Sequence, residues 1–215
     1  MPRMLKISEV FRSIQGESTQ AGRPCVFVRL SACDLRCRWC DTAYAFHDGT
    51  PRTIEWVLDE VRRYGVPLVE VTGGEPLLQP GCLDLLRALV EEGYETMLET
   101  GGHRSLEDVP FEVRKIVDVK CPGSGEADKQ RWDHETFMGP NDEWKFVIAD
   151  RMDFDWAVET VRARGLHERR TVLFSAVEGE LASGTLADWV LASGLPVRVQ
   201  VQMHKLFWPA ATRGV

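Results

Sequence analysis

Apolar positions along this chain recur in two periods, one of about two residues and one of about 3.6. Val26 to Leu30 ("VFVRL") reads as a strand. Thr53 is placed to cap a helix whose apolar face is Ile54, Val57, Leu58 and Val61, and Gly65 stops it. Leu68 to Thr72 ("LVEVT") reads as a strand followed by "GGEP". Cys82, Leu85, Leu86, Leu89 and Val90 mark one face of a second helix ending at Gly93. "TMLET", "IVDVK" and "EWKFVI" read as strands, and Phe154, Ala157, Val158 and Val161 stripe a third helix. "TVLFSAV" is another strand, "TLADWVLAS" a short helix, and "VRVQVQMH" a last strand with clean alternation.

The order, largely β-α-β-α-β-β-β-α-β-α-β with short connections, predicts an α/β fold with a mainly parallel sheet. The units are too few for an eightfold barrel. A partial, open TIM-like barrel of about six core strands with few helices is expected. The loosest stretches are Phe46 to Arg52 and Gly123 to Pro140, the second a polar surface excursion rather than a linker. There is no internal repeat or low-complexity tract, and residues 1–215 are expected to form one domain.

Composition narrows the partners. With 44% hydrophobic and 27% charged residues, the chain can bury a sizeable core. A formal net charge of −7 argues against nucleic acid and anionic membrane, both of which call for basic patches. Small molecules and protein partners stay open. "MPRMLKISEVFRS" lacks the apolar core and cleavage site of a signal peptide, and no apolar run is long enough to span a membrane. Of six cysteines, three crowd together while Cys25, Cys82 and Cys121 stand alone, which is not a disulfide framework. A reducing, cytoplasmic setting is expected.

The crowded three are Cys33-x3-Cys37-x2-Cys40, on one loop directly after a strand. A structural zinc site normally wants four ligands. Three thiolates can instead hold three corners of a 4Fe-4S cube and leave the fourth iron open. S-adenosylmethionine can fill that corner, and one electron from the cluster can split its carbon–sulfur bond to give an adenosyl radical. Zinc completed by Cys25, Cys121 or a histidine is the alternative.

The cysteine loop resembles that of the radical S-adenosylmethionine superfamily. "FRSIQGEST", "VFVRLSACDLRCRWCDT", "TGGEPLLQ", "LETGG", "DVKCPGSGE", "DEWKFVIADR" and "QVQMHKLFW" follow in order across nearly the whole chain. Together they resemble the 7-carboxy-7-deazaguanine synthase family of queuosine and deazapurine biosynthesis. The resemblance implies conversion of 6-carboxy-5,6,7,8-tetrahydropterin to 7-carboxy-7-deazaguanine with loss of ammonia. A hydrogen is taken from substrate C6, the ring rearranges, and the hydrogen is returned, so S-adenosylmethionine is regenerated. It further implies a truncated barrel, a homodimer, a Mg²⁺ ion and a flavodoxin-like electron donor.

Site residues follow from type and position, with roles implied by the resemblance. Thr42 offers a hard hydroxyl oxygen suited to Mg²⁺, although a turn or cap threonine is the ordinary alternative. Trp39, Cys40 and Asp41 are implied to lie against S-adenosylmethionine. In "TGGEP" the glycines admit close approach of a ligand, and Glu75 is an acceptor for its ammonium. Gly74 is implied at the S-adenosylmethionine amine and Thr72 at the substrate. Asp118, Val119 and Lys120 correspond to a further S-adenosylmethionine segment, often Ser-Pro-Lys in relatives. Gln15 has the donor and acceptor that match a pterin's amide-like edge, and Ile14, Gln15 and Gly16 are implied on the substrate. Arg29 is a charge inside a strand, which needs a partner: the substrate carboxylate or an internal acid. Glu99 and His204 are further candidates on the substrate side. Relatives usually have Asn where Gly101 stands.

Two other functions compete: a glycyl-radical-enzyme activase of the same superfamily, over which a large protein would dock, and a non-enzymatic zinc or iron–sulfur module. "SIQGE" and "CDT" favour a small substrate over the activase.

Overall fold

A computed structural model gives the structure of the protein over residues 3–209 and 213–214. The chain opens with strands β1 (Met4–Ile14), β2 (Pro24–Leu30) and β3 (Thr50–Thr53), then helix α1 (Ile54–Tyr64). Strand β4 (Leu68–Gly73), helix α2 (Gly81–Glu91), β5 (Glu95–Thr100), β6 (Arg114–Val119) and β7 (Glu143–Ile148) follow. Helices α3 (Arg151–Arg164) and α4 (Leu166–Arg169), β8 (Thr171–Ala176), α5 (Ser183–Ser193), β9 (Arg198–Gln200) and α6 (Met203–Phe207) complete it.

Among the described residues one sheet holds nine strands in the order β3-β1-β2-β4-β5-β6-β7-β8-β9. From β2 to β9 the pairing is parallel, while β1 pairs antiparallel with both β2 and β3. The sheet has two edges, β3 and β9, so it is the open barrel expected, with an antiparallel ribbon added on one side.

Strand alternation gives the sheet two faces of different chemistry. On the outer face Val28, Val71, Leu98, Val117, Phe146 and Phe174 are buried against the helices. Thr53 caps α1 through its side chain, and Gly65 ends it in the left-handed conformation, as the sequence predicts. On the inner face Phe11, Cys25, Phe27, Leu68, Met97 and Ile116 form a small apolar floor. One pleat further along the strands the inward residues become Arg29, Glu70, Glu99, Asp118, Lys145 and Ser175, all lining one cavity.

Several local expectations need correction. β1 went unread because its alternation breaks: the register with β2 shifts between Ile7 and Glu9. That irregularity carries Leu5 and Ile7 to the outer core but Phe11 to the inner floor, despite equal parity. β3 falls largely within the Phe46–Arg52 stretch expected to be loose, and it holds the edge against Met4–Ile7. The last strand is shorter than its pattern: β9 is an edge strand, and the chain turns into α6 at Met203, which places His204 on a helix. The Gly123–Pro140 excursion is three 3-10 turns, with Ser124, His134 and Met138 buried.

Phe174 is fully buried and makes edge-on contacts with Phe146 and Phe154, whereas Leu191 on α5 is exposed. Phe174→Ala is expected to cost about 3–5 kcal/mol of unfolding free energy. Leu191→Ala should change it by no more than about 0.5 kcal/mol. Urea titration followed by circular dichroism checks both.

Candidate active site

A cavity of about 690 Å³ opens at the C-terminal ends of the parallel strands. Ile14, Gln15 and Gly16 enter it from the end of β1, Arg29 from β2, Thr72 and Gly74 from the end of β4, and Glu99 from β5. Asp118 comes from β6 and Lys120 from just beyond it, His204 from α6, and the cysteine loop contributes Cys33, Cys37, Trp39, Cys40, Asp41 and Thr42. The fold therefore gathers nearly all the candidates around one space.

Two candidates stand apart. Val119 is a fully buried outer-face residue, as its parity requires. Glu75, also fully buried, accepts bonds from the Leu77 and Gly101 amides at 3.0 and 2.9 Å and from Thr100 Oγ1 at 2.9 Å. Its side chain is thus an internal clamp and does not line the cavity. Gly101 suits this clamp: a Cβ there would lie 3.1 Å from His103 Nδ1 and Leu35 Cδ1.

The cysteine loop is held from several sides. Ala32, just before Cys33, has φ of 74°, and its carbonyl accepts the Glu75 amide at 2.9 Å. Gly73 (φ +147°) and Gly74 permit this contact, since a Cβ on either would overlap the backbone of Leu30 or Ala32. Asp34 takes His103 Nε2 at 2.7 Å and pairs with Arg104. The Gly123–Pro140 excursion braces the far side: the Arg38 amide donates to the Ser124 carbonyl at 3.0 Å and the Arg36 amide to Glu126 Oε1 at 2.6 Å.

Three thiols on one loop, with no other cysteine among the described residues lining the cavity, are a donor set that suits a cluster with one open corner. Cys33, Cys37 and Cys40 are half-exposed, whereas Cys25, Cys82 and Cys121 are buried and outside the cavity. Burial, with Asp118 and the neighbouring thiols, holds the Cys37 pKa above the ordinary thiol value, and Lys120 opposes them. Among the described residues Asp118 Oδ1 is buried without a partner, which leaves an acceptor for a polar ligand in the cavity. Thr42 Oγ1 donates to Asp41 Oδ1 at 3.1 Å, which sets two oxygen groups side by side.

On the substrate side Arg29 has an internal partner, with Nε donating to Glu9 Oε1 at 2.7 Å. Tyr44 Oη donates to the same oxygen at 2.7 Å. Among the described residues the terminal nitrogens of Arg29 have no acceptor, so the ion pair aims the guanidinium while its outer edge is left for an anion. Gln15 is buried, accepts the Glu17 amide at 2.9 Å through Oε1, and donates to Glu70. A Cβ on Gly16 would come within 2.9 Å of His204 Nδ1, so α6 lies directly over this turn.

Sequence reasoning missed Glu17, Glu70 and Lys145. The signal was present for the last two: each is a charge inside a largely apolar strand, as is Arg29. Lys145 Nζ bonds Glu99 and lies 2.9 Å from Glu17 Oε2. Burial works against its charge, but Glu17, Glu99 and Asp118 outweigh it and hold the pKa well above the ordinary lysine value. Glu70 is the converse. Burial first, then Glu99 and Glu17, raise its carboxyl well above the usual range.

Residues 28–119 match the Radical SAM superfamily. The chain is 44% identical to the 7-carboxy-7-deazaguanine synthase of Koribacter versatilis, over 98% of this chain and all of that protein. It is 43% identical to the synthase of Chlorobaculum tepidum, over 98% of this chain and 97% of the relative. The crystal structure of QueE from Escherichia coli superposes with a TM-score of 0.76 at 20% identity, covering 93% of this chain and 94% of the other.

Glu70 gives a pH signature. A carboxyl whose folded pKa is raised holds its proton in the native state after the unfolded state has lost it, so stability falls as pH rises above about 4.5. Glu70→Gln keeps an acceptor for Gln15 and removes this loss. The stability gained by the variant over wild type is expected to grow from pH 5 to pH 8. A gain that is flat with pH in paired urea titrations would contradict the protonation state assigned.

Proposed function

The chain belongs to the 7-carboxy-7-deazaguanine synthase family of the radical SAM superfamily, and from that premise we propose that it contracts the ring of 6-carboxy-5,6,7,8-tetrahydropterin to 7-carboxy-7-deazaguanine, releasing ammonia. The observation that carries the reading is one cavity shared by three half-exposed thiols, an Arg29 guanidinium with a free outer edge and the Gln15–Glu70 pair.

Cys33, Cys37 and Cys40 would hold a 4Fe-4S cluster, and S-adenosylmethionine would lie along Trp39, Cys40, Asp41, Gly74, Asp118 and Lys120. When bound, these groups supply the single electron and the hydrogen-abstracting agent of the reaction. The chain's own residues then bind and orient. Arg29 receives the substrate carboxylate, with Glu9 and Tyr44 fixing its aim. Gln15 presents an amide to the pterin edge, and the buried Glu70 holds that amide in place. Thr72 and Glu99 face the substrate as a bonded pair, Oγ1 donating to Oε2 at 3.1 Å. Thr42 with Asp41 beside it is the proposed Mg²⁺ site, and His204 closes over Gly16.

A single domain, a homodimer, a flavodoxin-like reductant and a cytoplasmic setting complete the reading. All six cysteines are free, which suits a reducing compartment. Leu206 and Phe207 on α6 are exposed, and a second copy would cover such a surface. Identity to synthases over almost the whole chain disfavours the activase and the zinc module.

Turnover is the direct test. Anaerobically reconstituted, reduced protein with S-adenosylmethionine is expected to convert the carboxypterin to the deazaguanine by mass spectrometry; no product from iron-replete protein would count against the reading. Cys37→Ala is expected to lose the iron–sulfur absorbance and all product. Thr42→Ala should keep the absorbance and lose most of the response to added Mg²⁺, and an unchanged magnesium titration would remove Thr42 from that role.

A further inference from the structure

Three carboxylates from distant parts of the chain meet one ammonium at the base of the cavity. Lys145 Nζ, on β7, lies 2.9 Å from Glu17 Oε2 in the turn after β1 and 3.8 Å from Asp118 Oδ2 on β6. It bonds Glu99 Oε1 on β5 as well, and its side chain is only 6% exposed. Each arm continues into the site. Gln202 donates to Glu17 Oε1 at 2.8 Å, Thr72 to Glu99 Oε2 at 3.1 Å, and Lys120 to Asp118 Oδ2 at 2.8 Å. One ammonium thereby links the turn carrying Gln15 and Gly16, the strand ends carrying Thr72 and Glu99, and the Asp118–Lys120 segment.

We propose, resting on the functional reading above, that Lys145 is a positioning residue of the ring contraction, fixing the separation between the pterin side of the cavity and the S-adenosylmethionine side. The physical argument has two parts. Without the ammonium, Glu17, Glu99 and Asp118 are like charges facing one another with side chains only 13–29% exposed, and they must separate or take up protons. Hydrogen transfer between two bound molecules depends steeply on their approach, so a shift of about 1 Å in either wall costs on the order of 100-fold. The other deeply buried lysine shows what a purely structural one looks like. Lys115 Nζ donates to the Val113 carbonyl at 2.9 Å, lies 3.3 Å from Asp142 Oδ2, and does not line the cavity.

The test compares reconstituted wild type, Lys145→Met, Glu99→Gln and Lys115→Met. Two quantities are read: 5′-deoxyadenosine released per product formed, and pterin affinity in the unreduced holoenzyme by calorimetry. Because the reaction returns its hydrogen, free 5′-deoxyadenosine reports misalignment. Lys145→Met is expected to lose about 100-fold in product formation and to raise the deoxyadenosine ratio and the pterin Kd at least about tenfold each. Glu99→Gln should move both in the same direction by less, and it stands in as the deciding variant if Lys145→Met does not fold. Lys115→Met should lower stability and keep the wild-type ratio.

A wild-type ratio and affinity in Lys145→Met, or in Glu99→Gln when it decides, would overturn the proposal. Equal rises in the ratio for Lys145→Met and Lys115→Met would overturn it too, by reducing Lys145 to a structural group. Absence of product from wild type overturns the functional reading itself, and the proposal with it, so the two failures are distinct.

Discussion

The Lys145 ammonium sits beneath the cavity with Glu17, Glu99 and Asp118 around it, and the arrangement of the whole interior can be derived from that contact. An isolated ammonium taken out of water costs several kcal/mol even after the protein relaxes. Its neighbours therefore have to be anions, and those anions have to be reachable from strands on either side. A parallel sheet with inward residues at matching depth provides this: Asp118 pairs in register with Lys145 across β6 and β7. The acids in turn recruit Thr72, Gln202 and Lys120, so the network extends until it reaches side chains that border open cavity.

The same sheet is apolar on its other face, and this division lets the site exist at modest cost. Val28, Val71, Val117, Phe146 and Phe174 alternate one by one with the polar inward residues, and the helices seal them. Stability comes from the outer face and the small inner floor. The charged level above that floor is free to be arranged for chemistry. The cysteine loop stands at the rim of this frame, fastened through Ala32, Asp34, Arg36 and Arg38 rather than through packing of its own thiols. A loop so fastened by its backbone keeps the three sulfur atoms half-exposed and available.

Much of this was legible in the chain itself, and the parts that were not have physical reasons. Helices with a capping Thr53 and a stopping Gly65, and buried strands such as "LVEVT", are local signals and were read at the correct places. β1 was hidden by its own irregularity, because a register shift after Ile7 sends apolar residues of one parity to two different faces. β9 was overread, since alternation specifies a strand only where a neighbour exists to pair with it, and β9 has β8 alone. In the site, residue type and position single out Arg29, Gln15 and the three crowded cysteines, all of which line the one cavity. Glu75 looked like a ligand group because it follows two glycines. Only the fold reveals that the turn after β5 has already taken both of its oxygens.

Glu17 and the Gly123–Pro140 excursion share a further lesson about long-range fit. Glu17 and the first residues of the excursion lie in stretches that carry the family resemblance, "SIQGE" and "DVKCPGSGE", yet neither stretch states what its acid holds. Glu17 matters because Gln200, Gln202 and Lys145 arrive from elsewhere in the chain, and the excursion matters because Ser124 and Glu126 meet the cysteine loop. A catalytic cavity of this kind works by having its dipoles and charges aimed before a ligand enters, so that little reorganisation is left for the reaction. Here Arg29 is aimed by Glu9, Gln15 by Glu70, and Glu99 by Lys145 and Thr72. Arg29, Gln15 and Glu99 are thus each held by at least one group that need not touch the substrate. The residues that signal a site in the sequence and those that hold it in shape therefore overlap only in part.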